Sequence, residues 1–216
     1  MNLVILISIA LNFTFTGVSA HPPMMSLNGK DVVKKVKERY EKLESLKANF
    51  EQEYVWELAG ETQTLTGTLY LRSGDNYRIE TDTQVIVTDG KTVWTYSKEN
   101  DQVIIDWLRS SEENPLPKDL LFKYSEEYQP HFVGEEKIYG RKAYVLNLVP
   151  KEEEAFIKSM KIWVDASLWL TVKIQQVDIN DNINTYRVKN IQQNIELDPS
   201  LFTFKISPET EVVDLR

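Results

Sequence analysis

From Thr64 onward, apolar and polar side chains alternate with a period of two, in short runs divided by turn residues. That period sends successive side chains to opposite faces of an extended chain, so the runs predict β-strands. "TLTGTLYLRS" sets Leu65, Leu69 and Leu71 on one face and Thr66, Thr68, Tyr70 and Arg72 on the other. Ser73-Gly74-Asp75-Asn76 reads as a turn, and "YRIET" continues with Tyr77 and Ile79 opposite Arg78 and Glu80. "QVIVTD" and "KTVWTYS" flank Asp89-Gly90, a two-residue hairpin turn in which glycine accepts a positive φ. "QVIIDWL" adds another strand. Further on, "RKAYVLNLVP" places Tyr144, Leu146 and Leu148 on one face, and Lys151 to Glu154 form a charged hairpin loop. "MKIWVD" and "WLTVKIQQVD" pair around Asp165 to Leu168, and "INTYRVKNIQQN" follows the turn at Asp181-Asn182. "FTFKI" closes the series with Phe202, Phe204 and Ile206 in alternation. The expectation is about ten to eleven strands in an antiparallel meander.

Two stretches break the alternation. Val32, Val36, Tyr40, Leu43, Leu46 and Phe50 recur at helical spacing behind a candidate N-cap, Asn28, which predicts an amphipathic helix over Gly29 to Gln52. "NPLPKDLLF" carries two prolines that exclude a central strand, and Pro117 suits the first turn of a short helix made apolar by Leu116, Leu120, Leu121 and Phe122. "SEEYQPHF" then links back to the strands. Two helices are too few to cover so large a sheet laid flat. The economical fold is mainly β, with the sheet curled into a barrel or half-barrel and the helices as its lid. The first twenty residues hold no charged side chain, are apolar from Leu3 to Leu11 and end in Val18-Ser19-Ala20. They read as a signal peptide (1–20) cut after Ala20, leaving 21–216 as a single domain. Asn12, Thr14 and Thr16 interrupt the apolar run and argue against the alternative, an uncleaved anchor.

Composition narrows the function. A net charge of −8 and a pI near 5.0 argue against a nucleic-acid binder. The chain has no cysteine and only two histidines, His21 and His131, so thiol chemistry, a histidine triad or a histidine-rich metal site is hard to build. P-loop, dinucleotide-binding, zinc-protease and nucleophile-elbow motifs are missing. The acidic pairs Glu112-Glu113, Glu126-Glu127 and Glu135-Glu136 fall in loops or at strand edges, where solubility is their role. The reading is a non-enzyme with no cofactor and no metal. Five tryptophans, ten tyrosines and eight phenylalanines are threaded largely through the strands. They either fill a core or line a cavity for an apolar ligand, and composition does not separate the two. Trp94 and Tyr96 share a strand face, which either lines the barrel or packs under the helix.

Several segments carry a resemblance: "LKANFEQ", "GTLYLRSGDNYRIE", "VTDGKTVWTYS", "NPLPKDLL" and "NIQQNIELDPSLFTFKISPETEVVD". In their order and spacing the chain resembles the periplasmic outer-membrane lipoprotein carrier family, LolA. The resemblance implies an incomplete, unclosed antiparallel β-barrel with helices over its mouth. It also implies transport without catalysis. A monomeric periplasmic carrier takes a lipidated protein from an inner-membrane lipoprotein-releasing ABC transporter, shields its acyl chains, and yields it to an outer-membrane receptor lipoprotein. Resemblance and alternation together put Leu69, Leu71, Tyr77, Ile79, Leu146 and Leu148 on the acyl-chain cavity wall, and Leu116, Leu120 and Leu121 on the lid. Many relatives have an Arg-Pro pair before the Tyr77 position, whose arginine latches the lid. Here Ser73-Gly74 stands in that turn, with Arg72 and Arg78 the nearest arginines. The same fold also suits a binder of free lipids or a lipoprotein-sensing regulator.

Overall fold

The computed structural model describes residues 27–108 and 127–216. The expected lid residues Leu116, Leu120 and Leu121, like the expected signal peptide, lie outside these. The chain opens with helix α1 (Gly29–Glu41), and Asn28 caps it by accepting the Asp31 N–H at 2.9 Å. Twelve strands follow among the described residues: β1 (Ser45–Trp56), β2 (Glu61–Arg72), β3 (Asn76–Thr81), β4 (Gln84–Asp89), β5 (Thr92–Ser97), β6 (Gln102–Trp107), β7 (Tyr128–Ile138), β8 (Arg141–Pro150), β9 (Ile157–Asp165), β10 (Thr171–Asp178), β11 (Ile183–Gln193) and β12 (Glu211–Asp214). They form one sheet in the order β12-β6-β5-β4-β3-β2-β1-β11-β10-β9-β8-β7. Its edge strands β12 and β7 do not pair, so the barrel is unclosed, as expected. The sheet nevertheless bends. Leu168 and Leu170, beside β10, share a cluster with Leu71 and Tyr77 of β2 and β3 on the face that carries α1. A flat sheet would hold Leu71 and Tyr77 about 14 and 19 Å from β10, at ~4.8 Å per strand.

The helix is shorter than its periodicity predicted. It stops at Glu41, and Ser45–Trp56 is a strand between β2 and β11. Leu46 and Phe50 are four residues apart, a spacing that puts two side chains on one side of a helix and equally on one side of a strand. Pairing on both flanks, in which Leu46 faces Leu71 and Phe50 faces both Gly67 and Val188, settles it as a strand against a helix-favouring composition.

Three further expectations change. From Tyr128 the stretch expected as a link lies in an edge strand, where Pro130 removes no ladder hydrogen bond from a second neighbour. "FTFKI" is not a strand: Pro199–Phe202 is a 3₁₀ turn capped by Asp198, and the closing strand is β12, parallel to β6. The loop at Asp89-Gly90 is wider than two residues, because pairing ends at Thr88 with Val93. Asp89 closes it by accepting the Lys91 and Thr92 N–H groups, both at 2.9 Å. Gly90 has a φ of +90°, and a Cβ there would stand 2.4 Å from the Gly74 carbonyl oxygen. Its job is to let two neighbouring turns touch. Gly29 does the same for α1, whose first residue lies on the Pro130 carbonyl of β7.

Candidate functional site

Strand register decides which side chains meet. Ala48 pairs with Leu69, Leu69 with Ile79, Ile79 with Ile86, Ile86 with Thr95 and Thr95 with Ile104. Directly paired residues point to the same side of a sheet. These six therefore form one row on the helix-bearing face, across six strands and about 24 Å long at ~4.8 Å per strand. The row starts buried at Ala48, is half-buried at Leu69, Ile79 and Ile86, and ends at Ile104, 37% exposed. A neighbouring row runs Leu46, Leu71, Tyr77, Thr88, Val93. Where the two rows approach the end of α1, a cleft of about 220 Å³ opens between Tyr40, Leu43, Leu71, Tyr77 and the turn Ser73 to Asn76.

All six residues expected on the cavity wall lie on this face, in two different settings. Leu69, Leu71, Tyr77 and Ile79 are brought together as two cross-strand pairs beside the cleft. Leu146 and Leu148 stand apart on β8, at 0% and 1% exposure, under Val32 and Val36 of α1 with Met160 and Ile162. The helix fills that half of the face and reaches the other half at Tyr40, with Leu43 just beyond its end. Ile86 and Ile104 belong to the row but were not singled out by the sequence. "QVIVTD" and "QVIIDW" are apolar at adjacent positions, so alternation does not mark one face of them.

The doubled apolarity has a cause on the opposite face. Val85, Val87, Val103 and Ile105 are buried there, and Trp94 and Tyr96 point the same way, since they pair with Val87, Ile105, Val85 and Val103. The two aromatics therefore neither line the helix-bearing face nor pack under the helix. The chain beyond Asp198 lies over them. The Tyr96 and Phe204 rings are 5.3 Å apart, and the Tyr96 hydroxyl donates to Asp101 at 2.9 Å. Arg72 and Arg78 are on this opposite face too. The Arg72 guanidinium stacks on Phe202 at 4.5 Å, while Arg78 pairs with Glu80 at 2.5 Å and donates to the Leu201 carbonyl. Both are committed to the C-terminal segment and aim away from the apolar rows.

Toward β11 the apolar rows are bounded by neutral groups, whereas on β6 the second row ends at Asp106, the partner of Val93. Gln52 and Asn184 donate to the Tyr186 hydroxyl at 3.2 and 2.9 Å, and burial pushes that phenol upward, so it stays protonated and uncharged. The part of that surface on β1 to β4 can accept a hydrocarbon chain without desolvating a charge. Among the described residues, no three His, Cys, Asp or Glu side chains converge to hold a metal.

Residues 41–205 match the family described as outer membrane lipoprotein carrier protein LolA. An uncharacterised protein of Methanocaldococcus jannaschii is 27% identical over 200 residues, which is 91% of this chain but 57% of that relative's length. An outer-membrane lipoprotein carrier protein of Glaesserella parasuis is 26% identical over 200 residues, covering 89% of this chain and 92% of that one. Among solved structures, an uncharacterised conserved protein of Thermus thermophilus shares the fold with a TM-score of 0.60, over 86% of this chain and 98% of its own, at 12% identity.

Proposed function

Because the chain belongs to the outer membrane lipoprotein carrier family, LolA, we propose that it carries lipoproteins across the periplasm, from the inner to the outer membrane, with their acyl chains laid along the open half of the helix-bearing face. The observation that carries this reading is the row from Ala48 to Ile104, continuous across six strands and only half-buried at its centre. Burying hydrocarbon gains ~0.8 kcal/mol per CH₂, so a long acyl chain is worth on the order of 12 kcal/mol, too much to surrender to water on the way. A half-open row recovers part of that gain and leaves the chain accessible for release. The partners are an inner-membrane lipoprotein-releasing ABC transporter on loading and an outer-membrane receptor on delivery. Arg72 and Arg78 hold the C-terminal segment, so release here does not run through an arginine at the Ser73-Gly74 turn.

The test incubates the purified chain with inner-membrane vesicles, the cognate transporter and ATP. The expected result is an acylated lipoprotein in soluble complex with this chain; its absence overturns the carrier reading, and copurifying free lipid would replace it with a free-lipid binder. Ile79→Glu places a carboxylate mid-row at a half-exposed position. Its loading should fall by about tenfold or more, with the unfolding midpoint little changed. Tyr77 suits this test less well, because its side chain is part of the packed core.

A further inference from the structure

One end of the sheet displays apolar side chains that the acyl-binding face does not use. Leu58, at the tip of the β1–β2 hairpin, is 100% exposed; Phe156, before β9, is 58% exposed; Ile179, after β10, is 56% exposed. Register places all three loops at the same end, since Val55 pairs with Thr62 and Ile183, and Val177 with Ile183 and Ser159. The loops are tied into one platform. The Ile179 N–H donates to the Phe156 carbonyl at 3.0 Å, and the Glu57 N–H to the Asn182 side chain at 3.2 Å. Asp178 accepts from the Asn180 and Asn182 N–H groups and from the Asn182 amide. Three protruding hydrophobes gathered at one braced end of the sheet form a surface suited to a contact.

We propose that this end touches a phospholipid bilayer of zwitterionic headgroups, with Leu58, Phe156 and Ile179 inserted at the interface. Two features select that occupant. Tips on separate loops suit a fluid interface that closes around each one. Trp56, 37% exposed and 4.5 Å from the Tyr54 ring, sits just behind Leu58, and such amphipathic rings favour the headgroup level. The charges are mixed in the same sense as the headgroups. Glu57, Glu61 and Glu152 to Glu154 surround the tips, matching ammonium groups. Lys30, Lys34 and Lys151 line the groove between α1 and β7 at the same end, matching phosphates. The contact is separate from the acyl row and goes beyond the carrier reading.

The test is flotation with phosphatidylcholine–phosphatidylethanolamine vesicles, with and without phosphatidylglycerol. The wild type should float with the zwitterionic vesicles and gain nothing from phosphatidylglycerol. The Leu58→Ser/Phe156→Ser/Ile179→Ser variant should partition at least about tenfold less, while its circular dichroism and its loading with a fluorescent acyl probe stay unchanged. Ile79→Glu should show the reverse, full flotation with poor loading, so failure of this proposal and failure of the carrier reading are distinguishable. Equal flotation of the triple variant, flotation only with phosphatidylglycerol, or a solution dimer that the triple variant breaks would each overturn the membrane contact.

Discussion

Asp165 shows how a single buried carboxylate organises a turn. It ends β9, and its Oδ1 accepts the Ser167 N–H, the Ser167 hydroxyl and the Leu168 N–H at 2.9, 2.7 and 2.9 Å. Its Oδ2 pairs with Arg141 at 2.8 Å. Burial alone would raise this carboxyl, but the Leu168 and Ser167 hydrogen bonds together with Arg141 outweigh it and hold it below the usual carboxylate range. A group depressed in the folded state contributes stability above its unfolded value, near ~3.9, and loses it as the pH falls through the folded value. Asp165→Asn should therefore unfold at lower urea than the wild type at pH 7, and the gap should shrink as the pH falls below about 4. A gap independent of pH would show that the carboxylate's charge contributes nothing to the turn.

At the scale of elements, the C-terminal segment acts as a second cover. It crosses the face opposite α1, plants Phe202 at 1% exposure against the Arg72 guanidinium, and ends as β12 on β6. Asp101 fixes the entry to that strand, its carboxylate accepting from Thr210 at 3.0 Å and its carbonyl accepting the Glu211 N–H at 3.0 Å. This explains why β4 to β6 are apolar on both faces. Phe202→Ala should cost about 3–5 kcal/mol in urea unfolding, the range for truncating a buried phenylalanine. Acyl loading of the folded fraction should stay the same, because Phe202 and the apolar rows are on opposite sides. A selective loss of loading would show that the two faces are coupled.

The whole molecule is asymmetric in how its helix-bearing face is filled. Under α1 the β7 to β10 half is closed core, whereas the β2 to β6 half presents the apolar rows. A ligand that binds only the folded state stabilises it by mass action, by about 2.7 kcal/mol at a hundred times its Kd. For a domain of this size, an acyl ligand at that level should raise the Tm by roughly 5–10 °C. Ile79→Glu should remove the shift while Leu58→Ser keeps it, as read by a thermal melt with and without the ligand. A shift that survives in Ile79→Glu would place the ligand elsewhere.

Alternation by itself determined that the chain is a large antiparallel sheet with few helices, and it put Leu69 with Leu71, and Tyr77 with Ile79, on one face of their own strands; the resemblance joined the two pairs. A period of two is a local property of the extended backbone, so neighbouring residues suffice to report it. Three matters depended on tertiary structure. Ser45–Trp56 became a strand because β2 and β11 flank it, and a spacing of four residues suits either element. Leu146 and Leu148 were separated from the other four because α1 packs on β8 and stops short of β2. Trp94, Tyr96, Arg72 and Arg78 were turned away from the helix-bearing face because a segment more than ninety residues after Trp94 folds back on that side. Which side of a strand meets which cover is set by contacts between residues far apart in the chain, and a period read along one strand carries no record of them.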